Sequence, residues 1–427
     1  MTDTQTPQTD DVEEALAAMR ERLEAKFSQG WEQEGAVATA SYSALGTHRS
    51  CPNQWRYKYL LHVGKPEGAS SPSRIFGTWY GVLRSAEALE RGRSMESLVG
   101  EPGMLKIMPE LPRLSHRSVT VRDIRILARK WWKTRPLELR EEFVEALGEE
   151  LPDRLDQAFI RWRDEYGEVA KKEAPLGVEI FWKRALPTLG ASPWDSAPEV
   201  ELLGYVDELY RDLERGSLVV RDNKTSKRME AASSAADMMD SQLYLYAWGI
   251  ESWLQEHGIK ERVKAVSYDR ILSAKPATPT LTKAGGLSKS VTNYDLRTYL
   301  AWASNGVEFP GTKKDGSGAG VYYAEESVIE KLSTPAWKSK FLQRTYSPVS
   351  RALAQAHLRA AVDSARAIVE TQKRVATDGD APRNLTKLGC SWCDFADLCR
   401  AEMIGGVGGE YELAQFGLVA RDGREYL

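Results

Sequence analysis

Apolar residues recur at helical spacing near the start of the chain. Over residues 11–28, Leu16, Met19, Leu23 and Phe27 form one stripe, which predicts an amphipathic helix. A second helix is predicted over 41–61, with Cys51 near its middle and Trp55, Tyr59 and Leu60 continuing it. A third covers 76–91, beginning at Gly77-Thr78 and ending near Gly92. Residues 93–175 read as a helical insertion rich in Arg, Glu and Trp, in which Trp131, Trp132 and Trp162 imply packing. At Gly177 the pattern changes. Strands are predicted over 178–184, 199–211 and 218–224, with a Gly-containing turn at 212–217 that makes the last two a hairpin. Residues 241–255 predict a helix with Leu243, Ala247, Ile250 and Leu254 as its buried stripe, and 263–271 a further strand. Residues 273–345, rich in Pro, Gly, Lys and Ser, read as a long insertion with mobile loops. Ser347-Pro348 is then expected to open a helix, with Ser as N-cap and Pro at its first position. Leu353, Leu358, Val362, Ala365 and Val369 give that helix an apolar face.

The chain has 427 residues, a net charge of −3 and the apolar and charged fractions of an ordinary globular protein. Its apolar runs are shorter than a membrane span. The polar, Thr/Asp-rich start lacks the basic-then-apolar order of a secretory leader. These features predict a cytoplasmic protein without a membrane partner, in a compartment where thiols stay reduced. The four cysteines are therefore read as metal ligands or buried thiols rather than disulfides. One local excess of positive charge stands out, in Arg221, Lys224, Lys227 and Arg228.

Three cysteines form Cys390-x2-Cys393-x5-Cys399, and the fourth, Cys51, lies more than three hundred residues upstream. Four thiols suit either a tetrahedral zinc site or one iron–sulfur cluster. If Cys51 joins the others, the site clasps N-terminal to C-terminal segments, worth up to about 5 kcal/mol of loop-closure entropy.

The predicted hairpin carries Asp207 on its first strand and Asp222-Asn223-Lys224 on its second. Strand alternation puts Asp222 and Lys224 on one face, roughly 6–7 Å apart, with Asp207 able to lie opposite them. Two converging carboxylates, with the Asn223 carbonyl, suit a hard divalent cation such as Mg²⁺ or Mn²⁺. A lysine beside such an ion can orient or deprotonate an attacking water. Gln242 and Tyr246, four residues apart, project from one face of the next helix.

In order, the Cys-Pro segment, Gly77-Thr78, Gly204-x2-Asp207, Asp222-x-Lys224-Thr225, Gln242-x3-Tyr246 and the C-terminal cysteines resemble the PD-(D/E)XK nuclease superfamily. Within it, the pattern is similar to the RecB-like, Cas4-like and AddB-type nucleases with a [4Fe–4S] cluster, above all to the Cas4-family exonucleases of actinobacterial phages. The resemblance spans residues 41–400. It implies an α/β fold with a restriction-endonuclease-like core, a mixed β-sheet flanked by helices. Helical and loop insertions and an iron–sulfur clasp would be added to that core. The implied organisation is an N-terminal helix or tail (1–40), the first part of the nuclease and cluster domain (41–92), a helical insertion (93–175), the nuclease core (176–272), a loop-rich insertion (273–345), the C-terminal helix and cysteine loop (346–404) and a tail (405–427).

The roles implied are these. Asp207 and Asp222, with the carbonyl of Asn223, would bind Mg²⁺ or Mn²⁺. Lys224 would be the catalytic lysine, and Gln242 and Tyr246 would support the site and touch the DNA backbone. Cys51, Cys390, Cys393 and Cys399 would hold the cluster, and Arg221, Lys227 and Arg228 would contact DNA phosphates. The activity implied is a metal-dependent deoxyribonuclease that acts as an exonuclease on single-stranded DNA or duplex ends. Its setting would be recombination, repair or DNA processing, with partner proteins, in the host cytoplasm if phage-encoded. One position departs from the pattern. Gly81 stands where many members carry a metal-binding histidine, in G-T-x-x-H, which leaves the metal to the two aspartates, a carbonyl and waters, or to a substitute acid such as Glu87 or Glu179, with a weaker site or loss of activity as the consequence. A non-catalytic DNA-binding or complex-forming scaffold is the alternative reading.

Overall fold

Ser41 accepts a hydrogen bond from the Ala44 amide and so caps the first helix of the computed structural model. The structure describes residues 38–64, 71–99, 119–187, 200–229, 234–313, 317–378, 380–404 and 418–420. The predicted helix over 11–28 and the glycines of 405–409 lie outside them. In chain order the elements begin with β1 (Ala38–Ser41), α1 (Tyr42–Ser50), α2 (Pro52–Trp55), β2 (Val63–Gly64), α3 (Pro72–Ser94), α4 (Val121–Lys133), α5 (Leu137–Leu147) and α6 (Leu151–Ala170). The middle of the chain forms β3 (Glu173–Ala185), β4 (Val200–Asp212), β5 (Ser217–Ser226), α7 (Ser234–Met239), α8 (Ser241–Gly249), α9 (Glu251–Glu256) and β6 (Val263–Leu272). There follow α10 (Leu296–Ala303), β7 (Val307–Phe309), β8 (Gly320–Tyr322), α11 (Glu326–Ser333), α12 (Pro335–Lys338), β9 (Leu342–Pro348), α13 (Arg351–Asp378), α14 (Lys387–Ser391), α15 (Ala396–Met403) and β10 (Val419–Ala420). The fold is α/β, with a mixed sheet flanked by helices, as expected.

The chain divides into two units, and β3 and β4 run through both. The second unit comprises Ser70–Ile180 and Tyr205–Ser350. Its sheet runs β4-β5-β6-β9, with β3 also against β4. The β4/β5 hairpin is antiparallel from Glu208↔Arg221 to Asp212↔Ser217, β5 and β6 are parallel, and β9 returns antiparallel to β6. Helix α3 begins four residues earlier than predicted, because Ser71 caps it and Pro72 takes its first turn. It packs with α4, α5 and α6 around buried Trp79, Trp131, Trp132, Phe143 and Trp162, the packing expected of the tryptophans.

Two readings of the chain change here. Ser347-Pro348 ends β9 rather than opening a helix. Pro348 pairs with Ala265 at the end of a strand that, among the described residues, bonds only to β6, where a missing N–H costs little, and α13 starts at Arg351. Residues 273–345 are not only loops. They build a small aromatic core from Tyr294, Tyr299, Ala303, Tyr322 and Leu332. Helix α6 is laced to this part of the chain: buried Arg154 donates to the carbonyls of Leu272 and Ser273 at 2.6 and 2.7 Å, and Arg161 pairs with Asp295.

The first unit comprises Met1–Ala69, Phe181–Gly204 and Arg351–Leu427. In it β1 runs parallel to the start of β4, from Ala38↔Val200 to Ser41↔Leu203. Val362, Ala365 and Val369 of α13 are buried, and His48 of α1 meets Thr371 of α13 at 2.8 Å. Cys51 is not in mid-helix as expected. The residue before a proline is disfavoured in the helical region, so Cys51 turns extended (φ −162°, ψ 113°) and breaks the helix between α1 and α2.

Candidate active site and cysteine pocket

In the second unit the hairpin and α8 bring the predicted acidic and polar residues together. Asp222 and Lys224 share a strand face, and Lys224 Nζ lies 2.8 Å from Asp222 Oδ2. Asp207 immediately precedes Glu208, the first residue of β4 paired with β5 (Glu208↔Arg221), and its Oδ2 accepts the Asn223 amide at 2.7 Å. Asp240 caps α8, which aims Gln242 at the strand. The Gln242 carbonyl oxygen accepts from Lys224 Nζ at 3.0 Å. Its amide nitrogen donates to Asp222 Oδ1 at 3.3 Å and to the Tyr246 hydroxyl at 3.0 Å. Thus Asp207, Asp222, Lys224, Gln242 and Tyr246 form one connected group.

The electrostatics of this group are those of a crowded acidic site. Burial, then the charges of Asp222 and Glu179, push the Asp207 carboxyl well above the ordinary range. Burial also raises Asp222, against the opposing pull of Lys224. Desolvation alone would depress the Lys224 ammonium, but Asp222 outweighs it, with Asp207 and Asp240 adding to the effect, and Lys224 is raised. Among the described residues no three His, Cys, Asp or Glu side chains form a ready-made metal site. Lys224 supplies the positive charge beside Asp222. The donor set nonetheless suits a hard cation: two acids that resist ionisation side by side, and a buried Asp222 Oδ2 with no hydrogen bond beyond that ion pair.

Glu87 and Glu179 part company in the structure. Glu87 is committed to Arg84 at 2.8 Å and Arg91 at 3.0 Å. Glu179 sits at a positive φ of 48°, accepts from Ser85 Oγ at 2.9 Å and bears electrostatically on Asp207. Ser85 lies one helical turn beyond Gly81, where an added Cβ would meet nothing within 4 Å.

Of the expected phosphate contacts, Lys227 and Arg228 are exposed. Arg221 is not, and that expectation is corrected. Its position alternates with Asp222, so it points to the opposite face of β5, and its exposure is 0%. There it pairs with Glu173 at 2.7 Å and Glu208 at 3.1 Å and stacks over Tyr210. Arg84, Arg91 and Arg344 complete this buried network with Glu87 and Asp269. Alternation along β5 was the sequence signal that sets Arg221 on the face opposite Asp222 and Lys224, whereas Lys227 and Arg228 lie beyond the end of the strand at Ser226.

In the first unit all four cysteines line one cavity of about 300 Å³. They are free thiols, each partly buried. Tyr57, Val63, Phe395, Leu398 and Leu418 form the adjoining apolar core, on which Cys393 and Cys399 pack. Burial first, then the neighbouring cysteines, raises the Cys393 thiol. Asn53 Nδ2 approaches Cys399 Sγ at 3.5 Å, and Arg383 lines the same cavity and interacts electrostatically with that sulfur. N–H donors and a cation beside sulfur favour thiolates, the form that binds metal. Glu402 holds this shell, accepting from Arg56, Tyr57 and Arg383. The motifs did not point to Asn53, Arg383 or Glu402, because they make contact only through the fold.

A mixed sheet with an Asp-x-Lys strand, a second acid on the paired strand and a glutamine helix closing over them is the layout of a nuclease core. The family model for the PD-(D/E)XK nuclease superfamily matches residues 39–400, and the chain belongs to that superfamily. Its members are typically nucleases that act on DNA with divalent metals. A search of the curated proteins finds no match.

Proposed function

We propose that this protein is a Mg²⁺- or Mn²⁺-dependent DNA exonuclease of the RecB/Cas4 type, with a structural [4Fe–4S] cluster. The observation that carries the proposal is the meeting of three separated motifs at one point: Asp207 on the Asn223 amide, Lys224 on Asp222, and Gln242 on both Lys224 and Asp222. Asp207, Asp222 and the Asn223 carbonyl would hold the divalent ion. Glu179, rather than Glu87, is the acid that would take the part of the absent histidine. A bound divalent ion there would supply Lewis-acid stabilisation and a more acidic water.

The side chains do the rest. Lys224, with its proton held by Asp222, donates to the incoming water or to a phosphoryl oxygen. Gln242 fixes the ammonium, and Tyr246 fixes Gln242. Lys227 and Arg228 meet the DNA backbone as exposed cations. In the first unit Cys51, Cys390, Cys393 and Cys399 would ligate the cluster, with Asn53 as a donor to sulfur and Arg383 as a cation beside it. Its role is to tie the N-terminal segment to the C-terminal one. The setting proposed is recombination, repair or DNA processing in the cytoplasm, alongside partner proteins.

EDTA should abolish cleavage of end-labelled DNA, and Asp222→Ala should do so without loss of iron. Iron-replete Asp222→Ala that still degrades DNA at the parental rate would defeat the assignment. The non-catalytic scaffold draws support from Gly81 and from Lys224 closing over Asp222. Tight binding of DNA ends with no cleavage in Mg²⁺ or Mn²⁺ would favour it.

A further inference from the structure

We propose that Tyr268 and Asp240 form a positioning clamp that sets how Gln242 meets Lys224 and Asp222. The inference rests on the nuclease reading above. It concerns two residues outside the expected metal ligands and phosphate contacts.

Tyr268 is the register partner of Asp222 in the adjacent parallel strand β6. Its side chain is buried, and its hydroxyl donates to Asp240 Oδ2 at 2.6 Å. The other Asp240 oxygen accepts the Gln242 amide at 2.9 Å, which caps α8. Gln242 then returns to the strand through Asp222 at 3.3 Å and Lys224 at 3.0 Å. The contacts form a closed ring: strand β5, strand β6, Tyr268, Asp240, Gln242 and β5 again. A second tie holds the same loop. Arg270, two residues along β6, lies over the Tyr268 ring at 4.3 Å and pairs with Asp237 of α7.

A primary amide has one acceptor end and one donor end. Only one orientation offers its oxygen to the ammonium and its nitrogen to the carboxylate. A cap alone would fix the start of α8 relative to itself. The hydroxyl of Tyr268 fixes that start relative to the strand that bears Asp222 and Lys224. Asp240 thus acts through Gln242, as a positioning residue.

The test compares Tyr268→Phe, Asp240→Asn and Gln242→Ala with the parent, in DNA cleavage kinetics and in backbone hydrogen exchange over 241–249. Tyr268→Phe keeps the ring and the cap and removes only the tether. It should lower kcat by between about tenfold and hundredfold with KM nearly unchanged, and exchange over 241–249 should rise while the other elements keep their protection. Asp240→Asn, which still caps, should fall between the parent and Tyr268→Phe. In a Gln242→Ala background the Tyr268→Phe loss should vanish, because the clamp then has nothing to position. A kcat for Tyr268→Phe equal to the parent's, or a loss that simply adds to that of Gln242→Ala, overturns the clamp. If the parent itself does not cleave DNA, the nuclease reading fails instead. Local exchange then decides the clamp: unchanged protection over 241–249 in Tyr268→Phe refutes it.

Discussion

Replacing Arg221 by alanine would remove a guanidinium with no solvent exposure that serves three acids. It bonds Glu173 at 2.7 and 2.8 Å and Glu208 at 3.1 Å, and stands 3.8 Å from Asp269. The network opposes four guanidinium groups, Arg84, Arg91, Arg221 and Arg344, to four carboxylates, Glu87, Glu173, Glu208 and Asp269. The variant leaves three cations against four anions in a desolvated core. Breaking a buried pair from one side costs about 3–5 kcal/mol. The stacking over Tyr210, at 4.2 Å, adds to the loss. With about 2–4 °C of Tm per kcal/mol for a domain of this size, the midpoint should fall by roughly 6–20 °C. Urea or thermal unfolding of the purified variant measures it, and Arg221→Lys, which keeps the charge but loses the fork, should fall between. If Arg221 instead met a DNA phosphate, Arg221→Ala would keep its midpoint and lower the salt slope of DNA binding by about one unit. That result would refute the network argument.

Acid should unfold the second unit through the same network. Burial alone would raise Glu208, but Arg221, Arg91 and Arg84 outweigh it and bring it from 4.5 to about 2. A carboxyl depressed in the folded state gives stability above its unfolded pKa, and that stability is lost as pH falls through the folded value. The midpoint measured by thermal unfolding should therefore drop steadily between about pH 4.5 and 2. Asp207 and Asp222 have the opposite sign. Raised in the folded state, they cost stability as pH climbs, so added Mg²⁺ should raise the midpoint more at pH 8 than at pH 5. Equal shifts at the two values would argue against a cation at these acids. Cys51→Ala should lose iron and sulfide and unfold more easily when prepared anaerobically. A stable, fully active, colourless variant would show that the clasp contributes little, and zinc without iron in the parent would name a different metal.

Much of the fold was legible where periodicity is strong. The hairpin around residues 213–216 follows from alternation, and its strand boundaries moved by only one or two residues; the helix predicted over 241–255 starts where expected but divides at Ile250 into α8 and α9. Pro348 misled because one residue type serves both a helix start and an edge-strand end, and only pairing with Ala265 decides between them. The small core of Tyr294, Tyr299 and Tyr322 was hidden because its members come from short elements with no sustained period. In the site, Asp222, Lys224, Gln242 and Tyr246 could be grouped from spacing along one strand and one helix. Glu402 could not, since it meets Arg56 and Tyr57 across more than three hundred residues. Glu179 and Glu87 were equal candidate acids in the sequence, and only the fold shows Glu87 held by two arginines.

Lys224 is the side chain that joins Asp222 to Gln242. The direct measurement is the rate of nucleotide release from end-labelled DNA in Mg²⁺ or Mn²⁺, for the parent and for Lys224→Met at equal iron content. Release by the parent, with a loss of at least about a hundredfold in a folded, DNA-binding Lys224→Met protein, is the predicted result. Equal rates for the two proteins would contradict it.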